Sequence, residues 1–458
     1  MNKKERFLPD WHQGDRAELP ARSGFVLLLA GCLGLAGFAG CATAQPGSSS
    51  PASAPTLLRE ESRRVILFDV HDHLTPGLNP DRIVQLMDEA GVGRIVLMSN
   101  RGATPDELIQ AQDRYPGRFI IFLPVVGWGW ANTNPGFVNF AERLLQSSRF
   151  RGMGEFMFKH YPVAARGGVG SPESTSPGRD PEGQTREAPM IDVPPDSPLM
   201  RQMWALAGQY RVPVIFHMET DSSSVAALER TLAAFPRVIF IWAHQNPVKT
   251  HGGRSEEHAR QGDPGLLRRL LVRYSNLYAD ISLGYESVFY RPARDRNLPE
   301  AWKALYEEYS DRFMIGVDNA YREQFERFFM QRAGFMRNWL DQLSPEAAEL
   351  IGCGNAHRII LQTPSRLTLR IGTTEARRGE AITVQGSVEP AFPGVRIDRI
   401  LEAPGGQENT LLRTDSNGRF REEIVLEAAG AYRLKYRALC DGNQPGARAT
   451  PVALRAKE

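Results

Sequence analysis

Apolar runs typical of buried strands alternate with helical patterns over most of this chain. Between Val65 and Gln362 there are eight such runs: RVILFDVHDHL, RIVLMSN, RFIIFLPVV, FRGMGEFMF, VPVIFHMET, RVIFIWAHQN, NLYADIS and RFMIGVDN. Segments with an apolar stripe at helical spacing, such as PDRIVQLMDEAGV and SPLMRQMWALAGQYR, lie between them. Alternation of strand and helix indicates βαβ units and a parallel sheet. Eight such units predict an α/β fold of the closed (β/α)8 TIM-barrel type over residues 61–362.

The pattern changes beyond TPSRL to short alternating strands without helices. Turn sequences such as DSNG separate these strands. We therefore predict a small all-β domain, an immunoglobulin-like β-sandwich, over residues 363–458. This segment contains no histidine, which makes it a poor place for a metal site.

The N-terminus is charged and is followed by the uncharged run FVLLLAGCLGLAGFAGC, which is typical of an export signal rather than a spanning helix. LAGC and FAGC both resemble the lipobox of bacterial lipoproteins, and the longer apolar run before Cys41 favours lipidation at Cys41 over Cys32. Residues 1–41 would then be a lipoprotein signal peptide, and the Ser- and Pro-rich residues 42–60 a flexible tether to the membrane. An ordinary cleaved signal peptide is the alternative. Both predict an exported protein of the cell envelope or its surroundings.

Two cysteines remain in the body of the chain, Cys353 and Cys440. An oxidising compartment permits a disulfide, but nothing in the sequence places their Cα atoms within bridging distance. We expect two separate buried thiols in different domains.

Charge gives little evidence about partners. The net charge is +2, and basic and acidic residues are interspersed, so no basic stripe indicates a nucleic acid partner. The sequence does not determine the oligomeric state.

The stretch from Tyr161 to Pro198 is rich in Gly, Pro and Ser and lacks a helical period. We expect a long loop after the fourth strand. A loop of this length is either a lid or binding element, or a disordered insertion.

Polar residues interrupt the apolar runs near the ends of several predicted strands. They are His71, His73, Glu155, His217, His244 and Asp318. In a parallel barrel, chemistry belongs to the carboxyl ends of the strands, and simple alternation puts Asp69, His71 and His73 on one face. Any one of the six could be an ordinary hydrogen-bonded residue, but together they are costly to bury unless they are paired or bind a metal. Imidazole and carboxylate ligands suit Zn²⁺ or another divalent ion.

The strands that carry these residues, DVHDH, GMGE, IFHME, AHQNP and RFMIGVDN, resemble the metal-dependent amidohydrolase superfamily. More narrowly, the chain resembles the amidohydrolase-related (amidohydrolase 2) TIM-barrel branch, which also contains decarboxylases. The resemblance covers about Val65 to Gln362, including ELIGCGNAHRIIL, which is similar to the closing helix of that branch.

The resemblance implies roles for individual residues. His71, His73, His217 and Asp318 would hold one divalent ion, zinc above all. Glu155 stands where some deoxyribonuclease-like relatives have a bridging glutamate, so one or two ions remain open.

In relatives, the histidine in the position of His244 is either an acid/base group or a ligand of a second ion. Asp318 would accept the proton of a metal-activated water and return it to the leaving group. Arg101, Lys159 and His160 could hold an anionic substrate group, or be ordinary surface charges.

These expectations favour a metal-dependent hydrolase that acts on a C–N or C–O bond of a small carbonyl substrate. The first alternative is a metal-dependent decarboxylase, a lyase of the same barrel family. The second is a non-catalytic binding lipoprotein of the cell surface, against which the intact set of candidate ligands argues.

Overall fold

The structure is a computed structural model that describes residues 65–99, 102–125, 134–160, 191–245, 263–282, 297–320, 322–441 and 444–458. The predicted signal peptide, Cys41, the tether and most of the predicted loop after the fourth strand lie outside the described residues. Among the residues in these ranges, no helix is long and apolar enough to cross a membrane.

The first part of the chain forms parallel strands at all eight predicted runs. The strands are β1 (Leu67–Leu74), β2 (Val92–Ser99), β3 (Phe119–Ile121), β4 (Leu123–Pro124), β5 (Met153–His160), β6 (Ile191–Asp192), β7 (Val214–Met218), β8 (Phe240–Trp242), β9 (Leu277–Asp280) and β10 (Phe313–Met314). The third run divides into β3 and β4, and β6 is a short antiparallel addition to β5.

The parallel strands belong to two sheets, ordered β1-β2-β3 and β10-β9-β8-β7-β5-β4, so the described strands do not form one continuous closed ladder. Backbone hydrogen bonds nevertheless link the edges of the two sheets. Val70 N donates to Ile315 O over 2.9 Å, and Asp318 N donates to His71 O over 2.6 Å. The first strand therefore lies beside the segment that follows the last one.

Helices follow most of the strands, and several of them begin at a residue whose side chain caps the first turn. They are α1 (Pro80–Ala90), α2 (Pro105–Arg114), α3 (Gly136–Gln146), α4 (Pro198–Tyr210), α5 (Ser222–Ala234), α6 (Pro264–Arg273), α7 (Glu300–Glu308), α8 (Arg322–Leu340) and α9 (Pro345–Glu349). The side chains of Asn79, Thr104, Asp221 and Asp263 accept backbone N–H groups that the first turn leaves unbonded. Helical turns continue α9 as Leu350–Gly354 and His357–Leu361.

The interior of the parallel part is packed with apolar side chains. Phe68, Val70, Val96 and Met98 belong to one buried cluster, and a larger cluster lies between the strands and the helices. A filled interior leaves polar chemistry to the ends of the strands.

Simple alternation fails in β1. Asp69 pairs with Ile95 of β2 and Asp72 pairs with Leu97. Between these two pairs β1 advances by three residues and β2 by only two, so β1 contains a β-bulge. The bulge lets Val70 pack in the interior cluster and puts Asp69 and Asp72 on the same side of β1, opposite Ile95 and Leu97 of β2. The expectation that Asp69 shares a face with His71 and His73, opposite Asp72, was therefore wrong.

The C-terminal part consists of short strands, nearly all antiparallel. They are β11 (Arg366–Ile371), β12 (Glu375–Arg377), β13 (Ala381–Glu389), β14 (Arg396–Ala403), β15 (Gly406–Arg413), β16 (Arg419–Val425), β17 (Gly430–Ala438), β18 (Ala447–Arg448) and β19 (Val452–Lys457). They form two sheets, β11-β13-β16 and β12-β19-β17-β14-β15, with β18 added to β17. In β13, buried and more exposed residues alternate, as expected of a sheet with one face in a core.

The structure joins the two parts through a disulfide between Cys353 and Cys440, whose Cα atoms are 6.0 Å apart. The expectation of two separate thiols was wrong, because the chain returns to the helical turns after α9 where β17 ends. Beside the disulfide, Glu349 Oε1 accepts Cys440 N over 3.2 Å, and His357 Nε2 lies 2.9 Å from Asp441 O. Cys440 also packs in the interior cluster of the parallel strands, so the C-terminal part completes that core.

Candidate metal centre

The end of β1 directs two imidazoles toward the same pair of carboxylates. Nε2 of His71 lies 3.5 Å from Glu155 Oε2 and 3.7 Å from Asp318 Oδ1. Nε2 of His73 lies 3.6 Å and 3.5 Å from the same two oxygens. We call these four groups, His71, His73, Asp318 and Oε2 of Glu155, the first ligand set.

The other oxygen of Glu155 faces a second group of imidazoles. His217 Nδ1 is 3.6 Å from Glu155 Oε1, and His244 Nε2 is 3.4 Å from it. We call His217, His244 and Oε1 of Glu155 the second ligand set. The structure thus brings all six predicted strand-end residues together. The family resemblance implies that His217 shares one ion with His71, His73 and Asp318. In the structure, His217 instead faces the opposite oxygen of Glu155.

Two of these residues adopt left-handed backbone conformations in the segments that follow β8 and β10. His244 has φ 58° and Asp318 has φ 55°. Such values are uncommon outside glycine and concentrate at functional sites. In addition, Arg332 in α8 donates from Nη1 to the Asp318 carbonyl over 2.5 Å, and this bond holds the turn against the helix.

The two aspartates of the DVHDH motif fix the segment around Asp318. Asp69 Oδ1 accepts Val317 N over 3.0 Å, and Asp72 Oδ1 accepts Asn319 N over 2.6 Å. The flanks of Asp318 are therefore tied to β1. No role was predicted for these aspartates, although two acids that interrupt an apolar run beside two histidines were a usable signal.

Three of the four histidines have a polar group near the ring nitrogen that faces away from Glu155, and two of these groups lie within hydrogen-bond distance. His71 Nδ1 lies 3.0 Å from Asp280 Oδ2, and His244 Nδ1 lies 2.9 Å from Ser282 Oγ. His217 Nε2 lies 3.8 Å from Glu219 Oε1. Metal-ligating histidines usually have such outer partners, which fix the ring and its tautomer.

Asp280 and Glu219 are further functional residues that the sequence analysis missed. Asp280 ends the apolar run of NLYADIS, and Glu219 comes two residues after His217. Both satisfy the same strand-end criterion that identified the others. Nothing in the sequence singles out Ser282, because its role depends on contacts between strands.

Burial and charge work against each other in this centre. Burial raises the pKa of Glu155, but the charge of His71 and the nearby imidazoles of His217 and His244 outweigh it and hold the pKa well below its usual range. Burial lowers the pKa of His217, yet Glu155 and Glu219 raise it to about 9. Without a cation, these carboxylates keep protons on the imidazoles of His71 and His217, and a bound cation must displace those protons.

The spacing of the ligand atoms fits a divalent cation better than direct hydrogen bonds. The N···O distances in the two sets run from 3.4 to 3.7 Å, longer than a normal hydrogen bond. Four ligands held tetrahedrally at about 2.0–2.1 Å from zinc lie about 3.3–3.4 Å from one another. Within the described residues, buried His71 Nε2 and Glu155 Oε1 also lack a hydrogen-bond partner, which is costly unless an ion satisfies them.

A comparison with known families agrees with this donor set. The family model described as amidohydrolase matches residues 68–360, more than half of the chain. The chain belongs to the amidohydrolase family. Membership implies a metal-dependent enzyme, within a family that includes decarboxylases, and a TIM-barrel fold. No curated protein matches this amidohydrolase chain significantly.

Three solved structures that resemble part of this chain each cover about a fifth of it. The PKD domain of an M14-like peptidase from a Thermoplasmatales archaeon is 14% identical, covers 21% of this chain and 98% of its own, and has a TM-score of 0.17. The sporulation control protein Spo0M from Bacillus subtilis is 8% identical over 21% of this chain and 50% of its own, with a TM-score of 0.16. The D0-D1 domain of intimin is 16% identical over 20% and 50%, also with a TM-score of 0.16. Scores this low carry no argument about function.

Of the three predicted substrate-binding residues, only the side chain of Lys159 can be placed. Arg101 and the side chain of His160 lie outside the described residues. Lys159 is buried, and its Nζ pairs with Asp221 Oδ2 at 2.6 Å and Asp192 Oδ2 at 3.2 Å. These two aspartates balance its charge beside a cavity of about 170 Å³.

Proposed function

We propose that this member of the amidohydrolase family is a hydrolase that cleaves a C–N or C–O bond of a small carbonyl substrate. It would use two divalent cations, for which zinc is the first candidate. The observation that carries the proposal is the position of Glu155. Its two oxygens face two separate ligand sets, each at 3.4–3.6 Å. A single carboxylate placed in this way is suited to bridge two ions.

The arrangement around His244 favours hydrolysis over decarboxylation. In a decarboxylase of this branch, the resemblance assigns this histidine an acid/base role. Here its Nε2 lies 3.4 Å from Glu155 Oε1, beside His217, where it is suited to be a ligand of the second set.

Asp318 is the proposed proton acceptor. Oδ1 belongs to the first ligand set, and Oδ2 lies on the side of His244, 4.0 Å from its Nδ1. Burial raises the pKa of Asp318, but the charges of His71, His244 and His73 lower it below the usual range, so the carboxylate is ionised. Bound divalent cations supply Lewis-acid polarisation of the substrate carbonyl and a lowered pKa of the attacking water. Asp318 would take up the proton of that water and deliver it to the leaving group.

The test is a substrate screen with the zinc-loaded full chain. Esters, lactones, amides and aromatic carboxylates are incubated with the protein, and hydrolysis products and carbon dioxide are both measured. We expect hydrolysis of at least one class and its loss in Glu155→Gln. Glu346→Gln changes an exposed glutamate in α9 and serves as the matched control. Carbon dioxide release without hydrolysis would contradict the proposal in favour of a lyase.

We further propose that the parallel strands enclose a (β/α)8 barrel and that the C-terminal sheets form an immunoglobulin-like sandwich. The links from β1 to the segment after β10, together with family membership, support the barrel. The antiparallel sheets around one apolar cluster support the sandwich.

Lipidation and export are proposals from the sequence alone. Cys41 in FAGC would carry the lipid, and the protein would face the periplasm or the cell surface. Mass spectrometry of the N-terminal peptide from the membrane fraction tests this. We expect a lipid-modified Cys41, whereas an unmodified N-terminus downstream of Cys41 would indicate simple secretion.

A further inference from the structure

Asp280 and Ser282 lie where β9 ends, and both are fully buried. Asp280 Oδ2 is 3.0 Å from His71 Nδ1, and Asp280 Oδ1 accepts His244 N over 3.2 Å and Ser282 N over 3.0 Å. Ser282 Oγ also donates to Asp280 Oδ1 and lies 2.9 Å from His244 Nδ1. One carboxylate therefore contacts a histidine of the first ligand set and the backbone of a histidine of the second.

These contacts admit one consistent distribution of protons in the loaded centre. An ionised Asp280 only accepts hydrogen bonds, so His71 carries its proton on Nδ1 and leaves the Nε2 lone pair toward Glu155. Ser282 gives its single hydroxyl proton to Asp280, so its oxygen accepts the Nδ1 proton of His244. The Nε2 lone pair of His244 is then also directed at Glu155.

The surroundings leave this arrangement little freedom. The rings of His71 and His244 are 5.2 Å apart between centroids. A Cβ atom at Gly316 would lie 2.7 Å from His71 Cβ and 2.8 Å from Ser282 Cβ, so the segment after β10 packs directly against both side chains.

We propose that Asp280 and Ser282 are shared positioning residues that orient His71 and His244 together and so couple the two ligand sets. This inference rests on the proposed two-cation centre. Its consequence is that loss of Asp280 weakens both cation sites, whereas loss of a partner that faces one set weakens mainly that set. Glu219, which faces His217 of the second set, provides the comparison.

The experiment titrates the metal-free full chain with zinc against a chromophoric chelator. It compares the wild type with Asp280→Asn, Ser282→Ala and Glu219→Gln. We expect two sites in the wild type. Loss of an outer partner typically lowers metal affinity about 10–100-fold, so Asp280→Asn should lose about that much at both sites and Glu219→Gln at one. Ser282→Ala should weaken the site of the second set by less than that, because His244 Nδ1 loses the hydroxyl acceptor but keeps the Ser282 carbonyl oxygen at 3.3 Å.

A second measurement reports on orientation rather than folding. Nitrogen NMR of the zinc-loaded protein should show Nδ1-protonated His71 and His244 in the wild type, and a mixed or shifted His71 signal in Asp280→Asn. Far-UV circular dichroism of the metal-free variants should match the wild type.

The possible failures are distinguishable. If the wild type binds two ions and Asp280→Asn loses affinity at one site or at neither, the coupling inference is overturned and the two-cation centre stands. If the wild type binds no divalent ion, both the proposed function and this inference are overturned.

Discussion

Substitution of Gly316 by alanine isolates the effect of packing on the metal centre. Gly316 is buried after β10, and its φ is not in the positive range, so alanine meets no backbone strain there. The new Cβ would lie 2.7 Å from His71 Cβ and 2.8 Å from Ser282 Cβ, whereas ordinary contacts begin near 3.4 Å. The neighbours must therefore separate by about 0.6–0.7 Å.

The expected magnitude follows from that overlap. Overpacking a filled interior costs about 1–3 kcal/mol of folding free energy. Both atoms are Cβ atoms, so relief moves whole side chains, including the imidazole of His71. We expect zinc affinity to fall about 10–100-fold, the loss typical of a disturbed outer shell.

The assay combines urea unfolding of the metal-free protein with zinc titration against a chelator. Gly334→Ala is the matched control, because Gly334 is exposed in α8 and no atom lies within 4 Å of its added Cβ. The control should keep wild-type zinc affinity and gain about 0.5–1 kcal/mol from helix propensity. Wild-type stability and zinc affinity in Gly316→Ala would refute the packing argument.

Three further predictions concern the disulfide and two histidines. Reduction of Cys353–Cys440, which are 87 residues apart, should destabilise the full chain by about 4–5 kcal/mol in the chain-entropy account; an unchanged urea midpoint would show that the cysteines are unpaired. The pKa of metal-free His217 is about 9 against 6.5 unfolded, so its contribution to metal-free stability is complete below pH 6.5 and is lost as pH rises through 9. Between pH 6.5 and 9, zinc affinity should rise by up to tenfold per pH unit for each proton that zinc displaces. A zinc affinity that does not change with pH would contradict this. Burial lowers the pKa of His357 to about 4, so about 3 kcal/mol of stability present above pH 6.5 should be lost as pH falls through 4, and His357→Gln should remove that dependence.

The sequence predicted the main strands because strands buried on both faces must be apolar throughout. All eight parallel runs were found in this way, whereas short alternating patterns predicted β11 and β13 to β17 of the C-terminal part. The short strands β12, β18 and β19 were missed. β12 and β18 are only three and two residues long, so pairing rather than pattern defines them, whereas β19 alternates in burial and was overlooked. The disulfide could not be predicted, because a separation of 87 residues carries no information about distance.

The sequence predicted which six residues are candidate ligands, but it did not predict how they divide into two ligand sets. A polar residue at the end of an apolar strand signals a position near the mouth of the parallel strands, and this criterion identified all six ligand candidates. Which nitrogen faces which oxygen depends on distances between strands. The division of His217 and His71 between the two oxygens of Glu155 therefore required the structure.

Anomalous X-ray diffraction from crystals of the zinc-loaded full chain, measured at the zinc edge, tests the two-cation centre most directly. The account predicts two peaks on either side of the Glu155 carboxylate. One should be bound by His71, His73 and Asp318, and the other by His217 and His244. A single peak bound by His71, His73, His217 and Asp318, with Glu155 outside its coordination shell, would contradict the account.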